Sequence, residues 1–314
     1  PKWLNEEFSF IPYVSVETLR SWRLTSWLPS KKKSFLWRLN AAGFVFHFIL
    51  AMITLGVSAS GKGGLNTPVL DVYLTRLTWN MEESRLEPSI QATDPISLTL
   101  ITVTFFIMSA IAHLLVIVLN YNQAFDAPDA PPADASGIFG WYYVNLGRAA
   151  SPGRWVEYAF SSSIMLITLA VAAGITQIYQ LALTFSLMFC VICFGYYAER
   201  LSPPDPSNPK QWLINKNTPE NIWLIIPGRP RLSAKIERLT PHFIGYLPYA
   251  CIWVILLHSF VWNANNGEGG RGPPAFVYAI IFSQVALFSS FGITQFVVLY
   301  RDDGPTVYFR AEIS

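Results

Sequence analysis

The residue that first suggests chemistry is Glu157. It stands in the apolar run WVEYAFSSSIMLITLAVAAGI, residues 155–175. An ionised carboxylate is costly among apolar side chains that face lipid, so such a group points to function. Arg154 lies three residues before it, on the same face of a helix, and the spacing predicts a structural Arg154–Glu157 ion pair. His47 and His113 fall near the middle of two other apolar runs. With Glu157, and with Ser161, Ser162 and Ser163 to complete it, they make a candidate buried polar cluster. The roles open to the carboxylate are counterion, proton carrier and ligand contact; the bland alternative is the ion pair alone. His, His and Glu are metal-ligand types, but no HExxH or other zinc spacing accompanies them, and no metal is expected. Gln284 and Gln295 share the last apolar run, and His242 and His258 stand near the ends of the fifth, where an interfacial position is expected. No P-loop, dinucleotide fingerprint or GxSxG elbow is present, so no catalytic residue is proposed.

The elements that hold these residues are legible from hydropathy. Charged residues are 13% of the chain against about 25% in soluble domains, and mean hydropathy is +0.34. Six apolar runs occur at about 39–59, 96–119, 155–175, 177–197, 242–262 and 275–299. Each reaches the roughly 20 residues that a bilayer-spanning helix needs. None alternates as a barrel strand would. The fold class is therefore an all-α, polytopic bundle of six transmembrane helices, residues 36–314. The third and fourth are joined so closely that they must be antiparallel neighbours. Pro248 predicts a local disturbance in the fifth. Cys190 and Cys193 share a helical face and, with Cys251, are expected as small buried hydrophobes.

Residues 1–35 read as an interfacial or docking arm, with Trp3, Trp22 and Trp27 beside basic residues. Long loops are expected at 60–95, 120–153 and 199–240. The first contains VYLTRLTW, whose alternation predicts a strand or hairpin. Eighteen of the 22 Lys and Arg fall on the N-terminal side of the membrane and four on the other. That asymmetry puts the N-terminus inside. The near-neutral net charge of +2 gives no case for nucleic acid.

The stretch SPGRWVEYAFSSSIMLITLA (151–170) resembles the third helix of heliorhodopsins, inverted-topology relatives of microbial rhodopsins. GFVFHFILAM around His47, SAIAHLLV around His113, ICFGYYAE (192–199), IGYLPYACIW (244–253) and PAFVYAIIFSQVALFSSFGITQFVVLY (274–300) are similar to the first, second, fourth, fifth and sixth helices in order. The resemblance implies that Glu157 is the counterion of a protonated retinal Schiff base, with His47 and His113 in a polar, water-containing cluster. It also implies a lysine in a seventh helix. The eight lysines are Lys2, Lys31, Lys32, Lys33, Lys62, Lys210, Lys216 and Lys235, and none lies within the six runs. The sequence ends at YFRAEIS, where that helix is expected to begin.

Two functions follow. In the first the chain is a non-catalytic structural or accessory subunit of a larger membrane complex, without covalent retinal. Its partners are other membrane subunits, one filling the seventh position, and lipids. In the second it is a retinal photoreceptor whose seventh helix lies outside the sequence. An integral membrane location follows from the six runs, with plasma membrane and mitochondrial or plastid inner membrane all compatible.

Overall fold

In hydrocarbon a backbone must satisfy its N–H and C=O groups within its own segment, so apolar runs of this length close into helices. The computed structural model describes residues 30–59, 71–90, 96–121, 142, 145–146, 151–202, 212, 230–266, 272–273 and 275–304. Six helices are long and apolar enough to cross a membrane. They are α1 (Ser30–Ala59), α2 (Leu98–Leu119), α3 (Pro152–Ala172), α4 (Ile178–Arg200), α5 (Pro230–Asn265) and α6 (Ala275–Tyr300).

Their bounds depart from the hydropathy runs mainly at the basic ends. α1 starts nine residues before the apolar run, taking Lys31, Lys32 and Lys33 into its first turns. α5 starts at Pro230, so residues 230–240, the last quarter of the loop expected at 199–240, are helix. Polar residues extend a helix beyond the bilayer core without cost, which hydropathy does not register. α5 also runs through both Pro241 and Pro248. Of the N-terminal arm, residues 1–29 lie outside the described residues, as do most of the 120–153 loop and 203–229 apart from Trp212.

The helices pack as an arc in chain order, each mainly on the next. α1 rests on α2, and α6 rests mainly on α5. α1 and α6 have no substantial contact with each other among the described residues. The main buried cluster joins α3, α4, α5 and α6 through Trp155, Leu166, Met188, Ile192, Trp253, Leu256 and Ile281. The cysteines are a correction: Cys190, Cys193 and Cys251 are free and face outward, not into this cluster.

The expected hairpin is present between α1 and α2. Strand β2 (Thr75–Asn80) pairs antiparallel with β3 (Arg85–Ile90), Thr75 opposite Ile90 and Asn80 opposite Arg85. Two-residue strands β1 (Asp71–Val72) and β4 (Ile96–Ser97) pair below it. Asn80 organises the turn: its Oδ1 accepts from the amide of Glu82 at 2.9 Å and its Nδ2 donates to Glu87 at 2.9 Å. The Asn80 and Arg85 hydrogen bonds hold the Glu87 carboxyl below the usual carboxylate range.

The hairpin is tied to the bundle through the α3–α4 turn. The Thr75 amide donates to the Thr176 carbonyl at 3.0 Å. Gly174 turns this connection with φ +91°, a left-handed conformation that glycine adopts without penalty. Its amide bonds Val171, and the Ile175 amide bonds Ala170. From α5, Asn263 Nδ2 and Ser259 Oγ both donate to the Ala173 carbonyl, at 2.8 and 3.1 Å. A Cβ on residue 174 would fall on the Asn263 side chain. Gly174→Ala is therefore expected to cost about 1–3 kcal/mol, from the strained φ and the displaced Asn263 together. Thermal unfolding in mild detergent measures it, and an unchanged melting temperature would contradict this account of the turn.

Candidate functional site

Glu157 lies in the second turn of α3 and looks toward α2. Ser109 Oγ of α2, itself buried, donates to Glu157 Oε1 at 2.7 Å. Ser161, one turn further along α3, places a second hydroxyl beside the same carboxylate. The carboxylate, placed among apolar residues, thus has hydroxyls around it and, among the described residues, no cation.

The polar row continues along α2. His113 is four residues after Ser109, on the same face. Its Nδ1 donates to Asn40 Oδ1 of α1 at 2.9 Å, and Asn40 Nδ2 donates to the Leu36 carbonyl at 2.9 Å. Because the amide oxygen only accepts, the proton on His113 sits on Nδ1. The His47 ring stacks on His113 at 5.6 Å between centroids and 17° between planes. Buried His47 Nδ1 has no hydrogen-bond partner among the described residues. Gly43, between Asn40 and His47 on that face of α1, allows the close approach. A Cβ there would stand 2.8 Å from His113 Nε2. Asn40, His47, His113, Ser109 and Glu157 thus form a seam across α1, α2 and α3.

Arg154 does not take part in it. The Arg154–Glu157 pair expected from spacing is replaced by an ion pair between Arg154 Nη2 and Glu199 Oε2 of α4, at 3.2 Å. Glu199 is 4% exposed. Its Oε2 also accepts from Trp155 Nε1 at 2.5 Å, and its Oε1 accepts from the Ser151 amide, an orphan donor at the start of α3. One carboxylate therefore caps α3, holds its arginine and orients its tryptophan. Spacing favoured Glu157 for Arg154, but a pair on one helix leaves the Ser151 amide and the Trp155 indole unanswered. Glu199 satisfies all three.

Sequence reasoning passed over Glu199 because hydropathy ended the fourth run at residue 197. The signal available was the last residue of ICFGYYAE, a carboxylate at a helix end where a cation is the ordinary choice. Asn40, seven residues before His47, and Ser109, four before His113, were also open to a periodicity search.

Trp155 leads to the second part of the site. It is 3% exposed, and Gly195 of α4 lets its ring lie against that helix; a Cβ there would meet the ring at 2.5 Å. Phe291 of α6 meets it edge-on at 5.8 Å. Beside it is a cavity between α4, α5 and α6, with walls that include Met188, Tyr249, Phe288 and Phe291. Besides tyrosine hydroxyls, two buried polar residues line it, His242 and Gln295. Both were expected near an interface or without consequence, yet they are 8% and 6% exposed. The early start of α5 explains His242, since 12 residues of helix place it about 18 Å from Pro230. Among the described residues, no group of three or more His, Cys, Asp or Glu is arranged to hold a metal.

The family model described as Heliorhodopsin matches residues 133–227 and 228–309, together more than half of the chain. The matched segments carry α3 to α6, and so Glu157, Glu199 and the whole cavity. A search of curated proteins found no match.

The Glu199 knot makes a sharp prediction. Glu199→Ala removes the acceptor of the buried Ser151 amide and Trp155 indole and the ion-pair partner of Arg154, and is expected to destabilise the protein by about 3–5 kcal/mol. Glu199→Gln, which keeps an acceptor oxygen, should cost less. Equal and small losses in detergent melting experiments would mean that the knot does not hold α3 to α4.

Proposed function

The chain belongs to the heliorhodopsin family and is an integral membrane protein; from that premise we propose that its six helices form the retinal-binding body of a light-responsive membrane protein. The observation that carries this reading is the half-buried Glu157 carboxylate inside a spanning helix. It accepts from Ser109, has the Ser161 hydroxyl beside it, and among the described residues has no arginine or lysine paired to it. A carboxylate kept among neutral donors is placed to face a cation that arrives with a ligand. A carboxylate whose purpose is a structural ion pair would have kept Arg154.

The residues present fit a polyene in two respects. The cavity is apolar and aromatic, as a conjugated hydrocarbon requires. The second is Glu157, on the same helix as Trp155, which lines that cavity, with its carboxylate turned toward α2 on the neighbouring face. When bound, retinal supplies absorption of visible light and a light-driven change of shape. The protein supplies the fixed charge of Glu157, the aromatic walls, and the His47–His113–Asn40 cluster, which can hold or pass on a proton at the imidazole nitrogens.

In the third respect, the covalent anchor, the six helices offer no fit. Lys33 and Lys235 are drawn into the extended ends of α1 and α5, away from the apolar middle. Lys235 Nζ lies 3.5 Å from Asp302 and over the Tyr300 ring at 4.3 Å. The anchoring lysine must come from polypeptide outside α1–α6, against the open side between α1 and α6. That same open side favours a second reading: a non-catalytic accessory subunit whose partner, without a lysine, closes the arc. Bound lipids would then cover what the partner leaves.

Two measurements separate these readings. Titrating the purified chain with all-trans retinal should quench tryptophan fluorescence, and Trp155→Phe should remove much of the quenching. Membranes expressing the full polypeptide that contains this chain should gain a visible band bleached by hydroxylamine, and Glu157→Gln should move it to longer wavelength. With no quenching and no band, the accessory reading stands in its place.

A further inference from the structure

We propose that the ligand of the cavity between α4, α5 and α6 carries an oxygen on its ring end, preferably a hydroxyl, and that His242 and Gln295 recognise it. The inference rests on the retinal-binding reading and goes beyond it, from any retinal to a ring-oxygenated one.

The cavity walls alone would suit a plain hydrocarbon ring. Met188, Ile192, Phe288 and Phe291 present only carbon, sulfur and aromatic faces. Tyr249 has already spent its hydroxyl on Ser289, at 2.9 Å. The Tyr246 hydroxyl also borders the cavity, against Gly292; His242 and Gln295 are the buried polar residues of the lining. Both are more than nine-tenths buried, and both Nε2 atoms lack a hydrogen-bond partner among the described residues. Two such nitrogens in one apolar cavity are an unusual placement, because each buried polar group without a partner carries a free-energy penalty.

Neighbouring side chains do not relieve that penalty. The His242 ring meets Tyr246 edge-on at 4.9 Å and stacks on Phe296 at 6.0 Å, contacts of aromatic faces and edges that leave Nε2 unanswered. The two side chains come from different helices, α5 and α6, and converge on one cavity. A single small polar group on a ligand can reach such a pair.

A hydroxyl is the group that fits. The Gln295 amide nitrogen only donates, whereas an imidazole nitrogen donates or accepts according to its tautomer. A hydroxyl oxygen accepts from the amide and either accepts from or donates to the imidazole. A keto oxygen serves only when both nitrogens donate. An unsubstituted ring serves neither, and its binding would seal both nitrogens in a dry apolar space.

The test compares all-trans retinal with all-trans retinal hydroxylated on the ring, each titrated into the purified chain in mild detergent and followed by tryptophan quenching. The hydroxylated form is expected to bind about tenfold more tightly, the scale of one satisfied buried donor. The His242→Phe, Gln295→Leu double variant should lose that preference. Equal affinities in the unaltered chain overturn the inference and leave the retinal-binding reading intact; the nitrogens are then answered by water. A preference that survives in the double variant also overturns it, because the oxygen is then recognised elsewhere. Binding of neither ligand overturns both readings. The comparison in the unaltered chain decides the matter even if the double variant fails to fold.

Discussion

A polar side chain inside this bundle must find its partner on the protein or on what the protein binds, because the surrounding hydrocarbon offers none. That constraint organises the structure more than apolar packing does. Lipid tails are as apolar as leucine, so little hydrophobic force draws one spanning helix to another. What joins neighbouring helices is a series of directed contacts. Trp37 of α1 donates to the Ile117 carbonyl of α2. Ser109 of α2 reaches Glu157 of α3. Glu199 of α4 gathers the start of α3. Asn263 of α5 caps the α3–α4 turn, and Tyr249 of α5 meets Ser289 of α6.

The buried Glu199 and the half-buried Glu157 show how one residue type is put to different uses by its surroundings. Glu199 is surrounded by an arginine, an indole N–H and a backbone amide, a set that fully commits an ionised carboxylate to holding helices together. Glu157, only three residues from Arg154, has hydroxyls alone beside it among the described residues. By taking Arg154, Glu199 leaves the charge of Glu157 available. The structural knot and the proposed counterion are two sides of one assignment.

Small residues complete the arrangement where rings must approach backbones. Gly43 admits His113 against α1, Gly195 admits Trp155 against α4, and Gly292 of α6 faces the Tyr246 hydroxyl. Each glycine sits where an aromatic or imidazole ring from the adjacent helix crosses. Close approach of this kind lets dispersion and hydrogen bonds substitute for the missing hydrophobic drive. The arc nevertheless stays open between α1 and α6, whose outward faces are largely apolar.

The sequence by itself determined the six helices, their order and the suspicion falling on Glu157, His47 and His113. Long apolar runs are a one-dimensional signal, and a polar residue inside such a run stands out without any knowledge of its neighbours. The hairpin over the bundle was legible for the same reason, from local alternation in VYLTRLTW. Only the tertiary structure decided the partners. Arg154 could be matched to Glu157 by spacing, but the competing acceptor lies 45 residues away on another helix. His242 and Gln295 looked interfacial because hydropathy misjudged where α5 begins and does not register burial against a neighbour. Which polar groups meet, and which are left waiting for a ligand, depends on the lateral packing of helices, and no local pattern encodes that.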